Sequence, residues 1–298
     1  MKLLITSVFR ATEEEKAELE RLGYEIYFQP DEREKIGDDI PCDEIEGIIC
    51  NGLFLYTPPE RFPQLRFVQL TSAGLDRVPM DYMAEHGITV FNARGVYSAP
   101  MAEYAVCGIL QLYKQSAFFE KNKASHIWEK HRGLEELGGK TVCTVGCGSV
   151  GAACAERLRA FGCKIIGVSK SGRASGFDEM YTVENLAAAA EKSDIIILSL
   201  PLSEETRHIV NGEILGKMKD GAILVNIARG EIIDTAALEK ELCTGRLRAV
   251  LDVFEDEPLD ESSVLWELPN VIVTPHNSFV GEHNRRRLFE VIKSNLTV

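Results

Sequence analysis

Three residues suited to acid–base and anion chemistry stand just beyond strand-like runs in the second half of the chain. Arg229 follows the apolar run 222–227, Glu257 follows 247–251, and His276 follows 271–274. In an open parallel α/β sheet, ligands bind at the carboxyl ends of the strands. A guanidinium, a carboxylate and an imidazole are therefore predicted to converge on one sheet edge. An imidazole exchanges a proton near neutral pH. A carboxylate touching it favours the charged form and orients the ring. A guanidinium offers a fixed fork of donors to a carboxylate and polarises an adjacent carbonyl. Singly, each has an ordinary structural role: a His or Glu in a turn, an Arg at the surface. Their shared location makes them a candidate catalytic set for interconverting a 2-oxoacid and a 2-hydroxyacid.

Such a reaction also needs a hydride carrier. Residues 140–151, KTVCTVGCGSVG, combine an apolar run with Gly146, Gly148 and Gly151 and lead into an alanine-rich segment. This pattern predicts a strand, a tight turn and a helix start. The first glycine permits the turn, the second lets a diphosphate approach the backbone, and the third lets helix and strand pack. Free N–H groups at the helix start, around Ser149 and Val150, then face the anion. After the next strand-like run, 164–168, stand Ser169, Lys170, Ser171 and Arg173. An acid there would favour the ribose 2′-hydroxyl of NAD. Two hydroxyls and two cations suit a 2′-phosphate, so NADP(H) is the expected cofactor, with NAD(H) as the alternative.

The elements that must position these groups are legible as two alternations. In the first third, runs 3–6, 24–28, 47–50, 67–70 and 88–91 read as strands. Thr12 and Glu15 have capping-box spacing at the head of a helix over 12–22. Six more runs, 142–145, 164–168, 194–200, 222–227, 247–251 and 271–274, match a doubly wound dinucleotide fold. Ser98 and Pro100 open a long apolar helix predicted to reach about residue 120, where it serves a domain or subunit interface. A polar connector spans 121–137, and a last helix, 282–298, is expected to return to the first domain. The expected fold class is α/β, with two doubly wound parallel-sheet domains. A Rossmann dinucleotide-binding domain (99–280) is inserted in a smaller, flavodoxin-like substrate domain (1–98 and 281–298). Hinges near Ser98 and Gly281 are expected to permit closure.

Composition bounds the partners. The 298 residues carry a net charge of −13, with 45% hydrophobic and 27% charged residues. That argues against nucleic acid, which needs a basic surface. No run of about 18 apolar residues predicts a membrane span. The N-terminus reads as a first strand, and no signal peptide is predicted. The eight cysteines include no CxxC pair and read as buried, reduced thiols of a cytoplasmic protein, with Cys143 and Cys147 flanking the glycine turn. The six histidines show no metal-ligand spacing, so no metal is expected.

The segments LGGKTVCTVGCGSVG, PLSEETRHIVNGEILGKMKDGAILVNIARGEIID, AVLDVFEDEPL and NVIVTPHNS together resemble the D-isomer-specific 2-hydroxyacid dehydrogenases. The resemblance spans nearly the whole chain. It implies Arg229, Glu257 and His276 as the catalytic set, and Asp252 and the segment around Ile227 facing the nicotinamide. Pro201 and Thr206 complete the expected cofactor set. It also implies that residues 71–76 cradle the substrate carboxylate, chiefly at Ala73 and Gly74, where a backbone anion nest is physically plausible. The long helix commonly forms a dimer contact in the family, so a homodimer is expected. This chain departs from the family after run 47–50, where a basic residue is common and Asn51 stands instead. Asn51 can hydrogen-bond a substrate but supplies no charge, which leaves the 2-oxoacid open. Glu257 in place of Gln disfavours a formate-oxidising relative. The reading from another functional class is a nucleotide-sensing binding protein or corepressor of the same fold.

Overall fold

The computed structural model describes residues 1–297; Val298, the last position of the expected C-terminal helix, lies outside them. The chain divides into two compact units, one of residues 1–97 with the C-terminal segment from Gly281, the other of residues 98–280.

In the first unit, β1 (Lys2–Thr6), β2 (Glu25–Gln29), β3 (Ile45–Cys50), β4 (Phe67–Leu70) and β5 (Thr89–Phe91) form a wholly parallel sheet of order β2-β1-β3-β4-β5. This is the flavodoxin-like order. Helix α1 (Glu13–Arg21) starts where its sequence says: Thr12 accepts from the Glu15 N–H, and the Glu15 carboxylate accepts from the Thr12 N–H. Helix α2 (Met80–Glu85) precedes β5. The C-terminal helix, Asn284–Leu296, buries Leu288, Phe289, Ile292 and Leu296 in the same core as Leu3, Ile5 and Phe9.

In the second unit, α3 (Ser98–Tyr113) and α4 (Ser116–Ala124) precede β6 (Thr141–Val145) and α5 (Ser149–Ala160). There follow β7 (Lys164–Ser169), β8 (Glu179–Thr182), α6 (Leu186–Lys192), β9 (Ile195–Leu198), α7 (Gly212–Lys217), β10 (Ile223–Asn226), α8 (Thr235–Cys243), β11 (Arg248–Leu251) and β12 (Val271–Val273). All seven strands are parallel, in the order β12-β11-β10-β9-β6-β7-β8. The central strands β9 and β10 are buried at every position, as expected of a parallel sheet covered on both faces. Apolar cores lie on each side.

Two expectations are corrected. The seventh strand, β8, was not anticipated: its four residues, EMYT, are all half-buried at the sheet edge and carry no continuous apolar signal. The helix expected from Ser98 to about residue 120 is two helices. Gln115 takes a left-handed backbone, φ 54°, and ends α3 without any Gly or Pro. The preceding turn is pinned by buried Tyr113, whose ring centroid lies 5.1 Å from Lys140 Nζ and 5.0 Å from the Arg248 guanidinium carbon. The cysteines are all free, but only four are buried; Cys42 and Cys147 are half-buried and Cys107 and Cys243 are exposed. Among the described residues, no helix is long and apolar enough to cross a membrane.

Candidate active site

The ends of β10, β11 and β12 lie side by side, with Asn226 opposite Leu251 and Leu251 opposite Val273. The loops leaving these ends carry Arg229, Glu257 and His276. His276 Nδ1 lies 2.8 Å from Glu257 Oε2, and both side chains are about one-third exposed. Among the described residues Nε2 has no partner, so the ring presents one nitrogen to the carboxylate and keeps the other for a ligand.

Each loop is held from beneath. Buried Asn226 accepts the Ala228 N–H (3.1 Å) and donates to the Arg229 carbonyl (2.9 Å), closing the turn that carries the guanidinium. Arg229 Nη1 also donates to the Ala228 carbonyl at 2.7 Å. Gly230 packs directly on the β11 loop: a Cβ there would stand 1.8 Å from the Phe254 carbonyl carbon and 2.2 Å from the Glu255 nitrogen. The other oxygen of Glu257 accepts the Phe254 N–H at 3.2 Å. His276 has a left-handed backbone, φ 51°, uncommon for a residue with a side chain. Its N–H donates to the Asp252 carbonyl at 2.7 Å.

Asp252 is fully buried, and its carboxylate accepts the Thr274 hydroxyl (2.5 Å) and the N–H groups of Asn277 (2.7 Å) and Ser278 (2.8 Å). The Tyr104 hydroxyl, on α3, hydrogen-bonds the Thr274 hydroxyl in turn. The structure thus shows Asp252 bracing the turn around His276. Ile227 is likewise in the core, packed with Val225 and Ile223. Thr274, Asn226 and Gly230 were not singled out from sequence. The polar Asn226 at the end of an apolar strand was the available signal.

The glycine turn follows β6 as expected. Gly146 has φ +100° and sits so close to the next loop that a Cβ would meet the Leu200 nitrogen at 2.6 Å. A Cβ on Gly151 would meet the Gly146 carbonyl oxygen at 2.0 Å. Gly148 differs: no protein atom lies within 4 Å of a Cβ built there, and it forms the exposed N-cap of α5. Packing therefore explains Gly146 and Gly151, whereas the bare backbone at Gly148 borders open space in front of the N–H groups of Ser149 and Val150. A dinucleotide diphosphate fits that arrangement.

Beside the turn, Ser169, Lys170, Ser171 and Arg173 form an ordered loop. Ser171 Oγ donates to the Arg173 carbonyl (3.2 Å) and accepts its N–H (3.3 Å). Lys170 Nζ pairs with Glu205 Oε2 at 2.7 Å. Arg173 makes no ion pair among the described residues. Thr206 Oγ1 donates to the Pro201 carbonyl (2.8 Å) and accepts the Ser203 N–H (2.7 Å), shaping the loop after β9. Cys147 is not thiolate-prone: burial pushes its thiol up, and burial takes that of Cys143 up to about 12.

In the first unit, β3 and β4 also end side by side, Cys50 opposite Leu70. Asn51 follows one and the segment 71–76 the other. A buried carboxylate that sequence reading missed, Glu32, underlies Asn51. It accepts from Thr6 Oγ1 (2.6 Å), the Asn51 N–H (2.7 Å) and the Gly52 N–H (2.7 Å). The buried Asn51 Oδ1 has no partner among the described residues. The Ala73 carbonyl accepts from Asn92 Nδ2 (2.8 Å), and the Ser72 hydroxyl donates to the Gly74 carbonyl (3.1 Å). No acceptor meets the Ala73 or Gly74 N–H among the described residues, which leaves both available to an anion.

Comparison with known proteins bears on this arrangement. Residues 106–278 match the family profile described as "D-isomer specific 2-hydroxyacid dehydrogenase, NAD binding domain". A hydroxypyruvate reductase from Thermotoga maritima is 37% identical over 235 residues, 77% of this chain and 76% of that protein. An (S)-sulfolactate dehydrogenase from Chromohalobacter salexigens is 34% identical over 240 residues, 79% of this chain and 78% of that one. The crystal structure of a D-isomer specific 2-hydroxyacid dehydrogenase from Xanthobacter autotrophicus Py2, in complex with NADPH and MES, superposes with a TM-score of 0.80 at 27% identity, covering 98% of this chain and 92% of that one.

Proposed function

The chain belongs to the D-isomer-specific 2-hydroxyacid dehydrogenases, oxidoreductases that bind a nicotinamide dinucleotide, and from that premise we propose that it is an NADP(H)-preferring reductase of small 2-oxoacids. The observation that carries this reading is the His276–Glu257 contact of 2.8 Å, beside the Arg229 loop at three adjoining strand ends. When bound, the nicotinamide supplies or accepts the hydride. The protein residues manage the rest. Arg229 binds the substrate carboxylate with its fork of donors and polarises the neighbouring carbonyl. His276 delivers a proton from Nε2 to the carbonyl oxygen as charge develops there, and takes it back in the oxidative direction. Glu257, on Nδ1, keeps the ring oriented with Nε2 left for the substrate.

Cofactor binding is assigned to Gly146, Gly148, Ser149, Val150 and Gly151 at the diphosphate and to Ser169, Lys170, Ser171 and Arg173 at a 2′-phosphate. Pro201 and Thr206 shape the loop beside the turn. Ile227 contributes main-chain atoms, since its side chain is committed to the core. Asp252 acts on the nicotinamide side through the turn it braces. Support for NADP(H) comes from the two cations of the 169–173 loop and from the NADPH complex of the Xanthobacter relative. Substrate binding is assigned to Asn51, Ala73 and Gly74. Val106, Cys107, Leu110, Ala160 and Phe161 line a shallow depression along α3 and α5, and this patch supports a homodimer; the free cysteines fit a cytoplasmic setting.

The test is a panel of 2-oxoacids, glyoxylate, hydroxypyruvate and pyruvate included, assayed with NADPH and NADH. Turnover of at least one, with a higher kcat/KM for NADPH, is expected. Tight NADPH binding with no turnover across the panel would favour a nucleotide-sensing binding protein instead.

A further inference from the structure

Strands β9, β6 and β7 are neighbours, and they end level with one another: Val145 pairs with Leu198 on one side and Val168 on the other. Three loops therefore leave the sheet side by side. The middle one is the glycine turn. The outer two carry Glu205 and Lys170, and the 2.7 Å contact between Glu205 Oε2 and Lys170 Nζ joins them across the turn. Both side chains are highly exposed, 82% for Lys170 and 72% for Glu205. Such a pair is screened and contributes little to stability, so a ligand anion can open it. Resting on the NADP(H) reading, we propose that Glu205 is a specificity-determining residue for the dinucleotide, an internal anion that occupies Lys170 until a 2′-phosphate replaces it.

The exchange is one of like for like. A 2′-phosphate brings up to two negative charges and three acceptor oxygens to the ammonium that Glu205 holds. A free 2′-hydroxyl brings no charge and cannot displace a carboxylate. Glu205 thus lowers affinity for the phosphorylated cofactor twice: it competes for Lys170, and its charge repels the phosphate. Glu184 is the other acid whose charge reaches Lys170, without contact. Arg173, free of ion pairs among the described residues, remains to receive the phosphate whether or not the bridge is closed. A Glu205 carboxylate that instead accepted a ribose 2′-hydroxyl would give effects of the opposite sign.

The experiment is a set of fluorescence titrations of the full chain with NADPH, NADH, 2′,5′-ADP and 5′-AMP, in the wild type, Glu205→Gln and Glu184→Gln. In Glu205→Gln, the Kd for NADPH and for 2′,5′-ADP should fall by about three- to tenfold at low salt. The gain should shrink at about 200 mM salt. NADH and 5′-AMP should stay within about twofold, and Glu184→Gln should give a smaller gain of the same sign. An unchanged NADPH Kd in Glu205→Gln, or a parallel change for NADH, overturns the inference, and weakened NADH binding assigns Glu205 to the ribose instead. A wild type that prefers NADH and ignores 2′,5′-ADP overturns the NADP(H) reading and this inference together. A wild type that prefers NADPH, with no response to Glu205→Gln, overturns only the role of Glu205.

Discussion

Replacing Gly230 by alanine perturbs the candidate catalytic set without touching any of its three side chains. The added methyl would lie 1.8 Å from the Phe254 carbonyl carbon, 2.0 Å from its oxygen and 2.2 Å from the Glu255 nitrogen. These are backbone atoms, so no flexible side chain can yield. Ordinary contact requires about 3.4 Å or more between such atoms, and the β11 loop must retreat by more than about an ångström. That loop holds Glu257 through the Phe254 N–H and, through Glu257, the His276 ring. A misplacement of about 1 Å costs on the order of 10²-fold in rate. The overpacking itself should cost about 1–3 kcal/mol of stability, a fall of several degrees in Tm for a unit of this size. The expected result is a folded protein whose kcat falls about 100-fold while its NADPH Kd moves less than about threefold, because the glycine turn follows a different strand. The assay pairs steady-state kinetics with cofactor titration and a thermal melt. A folded Gly230→Ala enzyme with kcat within about threefold of wild type would refute the reasoning, as would a loss confined to cofactor affinity.

Other outcomes follow from the same geometry. Arg229→Lys keeps the charge but loses the planar fork, and kcat/KM should fall by about 10²-fold or more; a loss under about fivefold would show that a point charge suffices. Alkylation at neutral pH, read by mass spectrometry, should label exposed Cys107 and Cys243 before Cys147, whose thiol is pushed up by burial and has little thiolate; early labelling of Cys147 would contradict this. Glu135 is pulled both ways: burial raises its carboxyl, but Arg248 and Lys140 prevail and hold it below the usual carboxylate range. A depressed folded-state pKa adds stability that is present above the unfolded value and lost as pH falls through the folded one. Glu135→Gln should therefore lower Tm at neutral pH and lose that difference in acid, and an equal deficit at every pH would argue for packing alone.

What could be read from the sequence was what local chemistry encodes. The capping box at Thr12 and Glu15, the glycine turn after β6 and the apolar runs of the central strands act within a few residues of themselves. The positions of Arg229, Glu257 and His276 at strand ends followed from topology once those strands were placed. What escaped was set by tertiary contact. Gln115 breaks a helix with no breaker residue present, and β8 pairs as a half-buried edge too weakly apolar to announce itself. Glu32 looks like a surface acid in a charged stretch, yet it is buried as the acceptor for the loop at Asn51. Glu205 looks like one of several loop acids, and only the parallel register of β9, β6 and β7 brings it to Lys170. Asp252 illustrates a different limit, since the sequence places it at the strand end but only the folded turn shows its carboxylate fully engaged by protein donors.

The placement of His276 has a consequence for how the molecule would lose competence on warming. It follows β12, a three-residue strand at the sheet margin that pairs with β11 alone and is only half-buried. Marginal strands open by local fluctuation at a lower free energy than central ones such as β9 and β10. The imidazole is thus mounted on one of the least protected segments of its sheet and kept in register mainly by the donors gathered around Asp252. Amide exchange should be faster along 271–278 than along β9 or β10, and turnover should decay at temperatures where the bulk of the sheet is still intact.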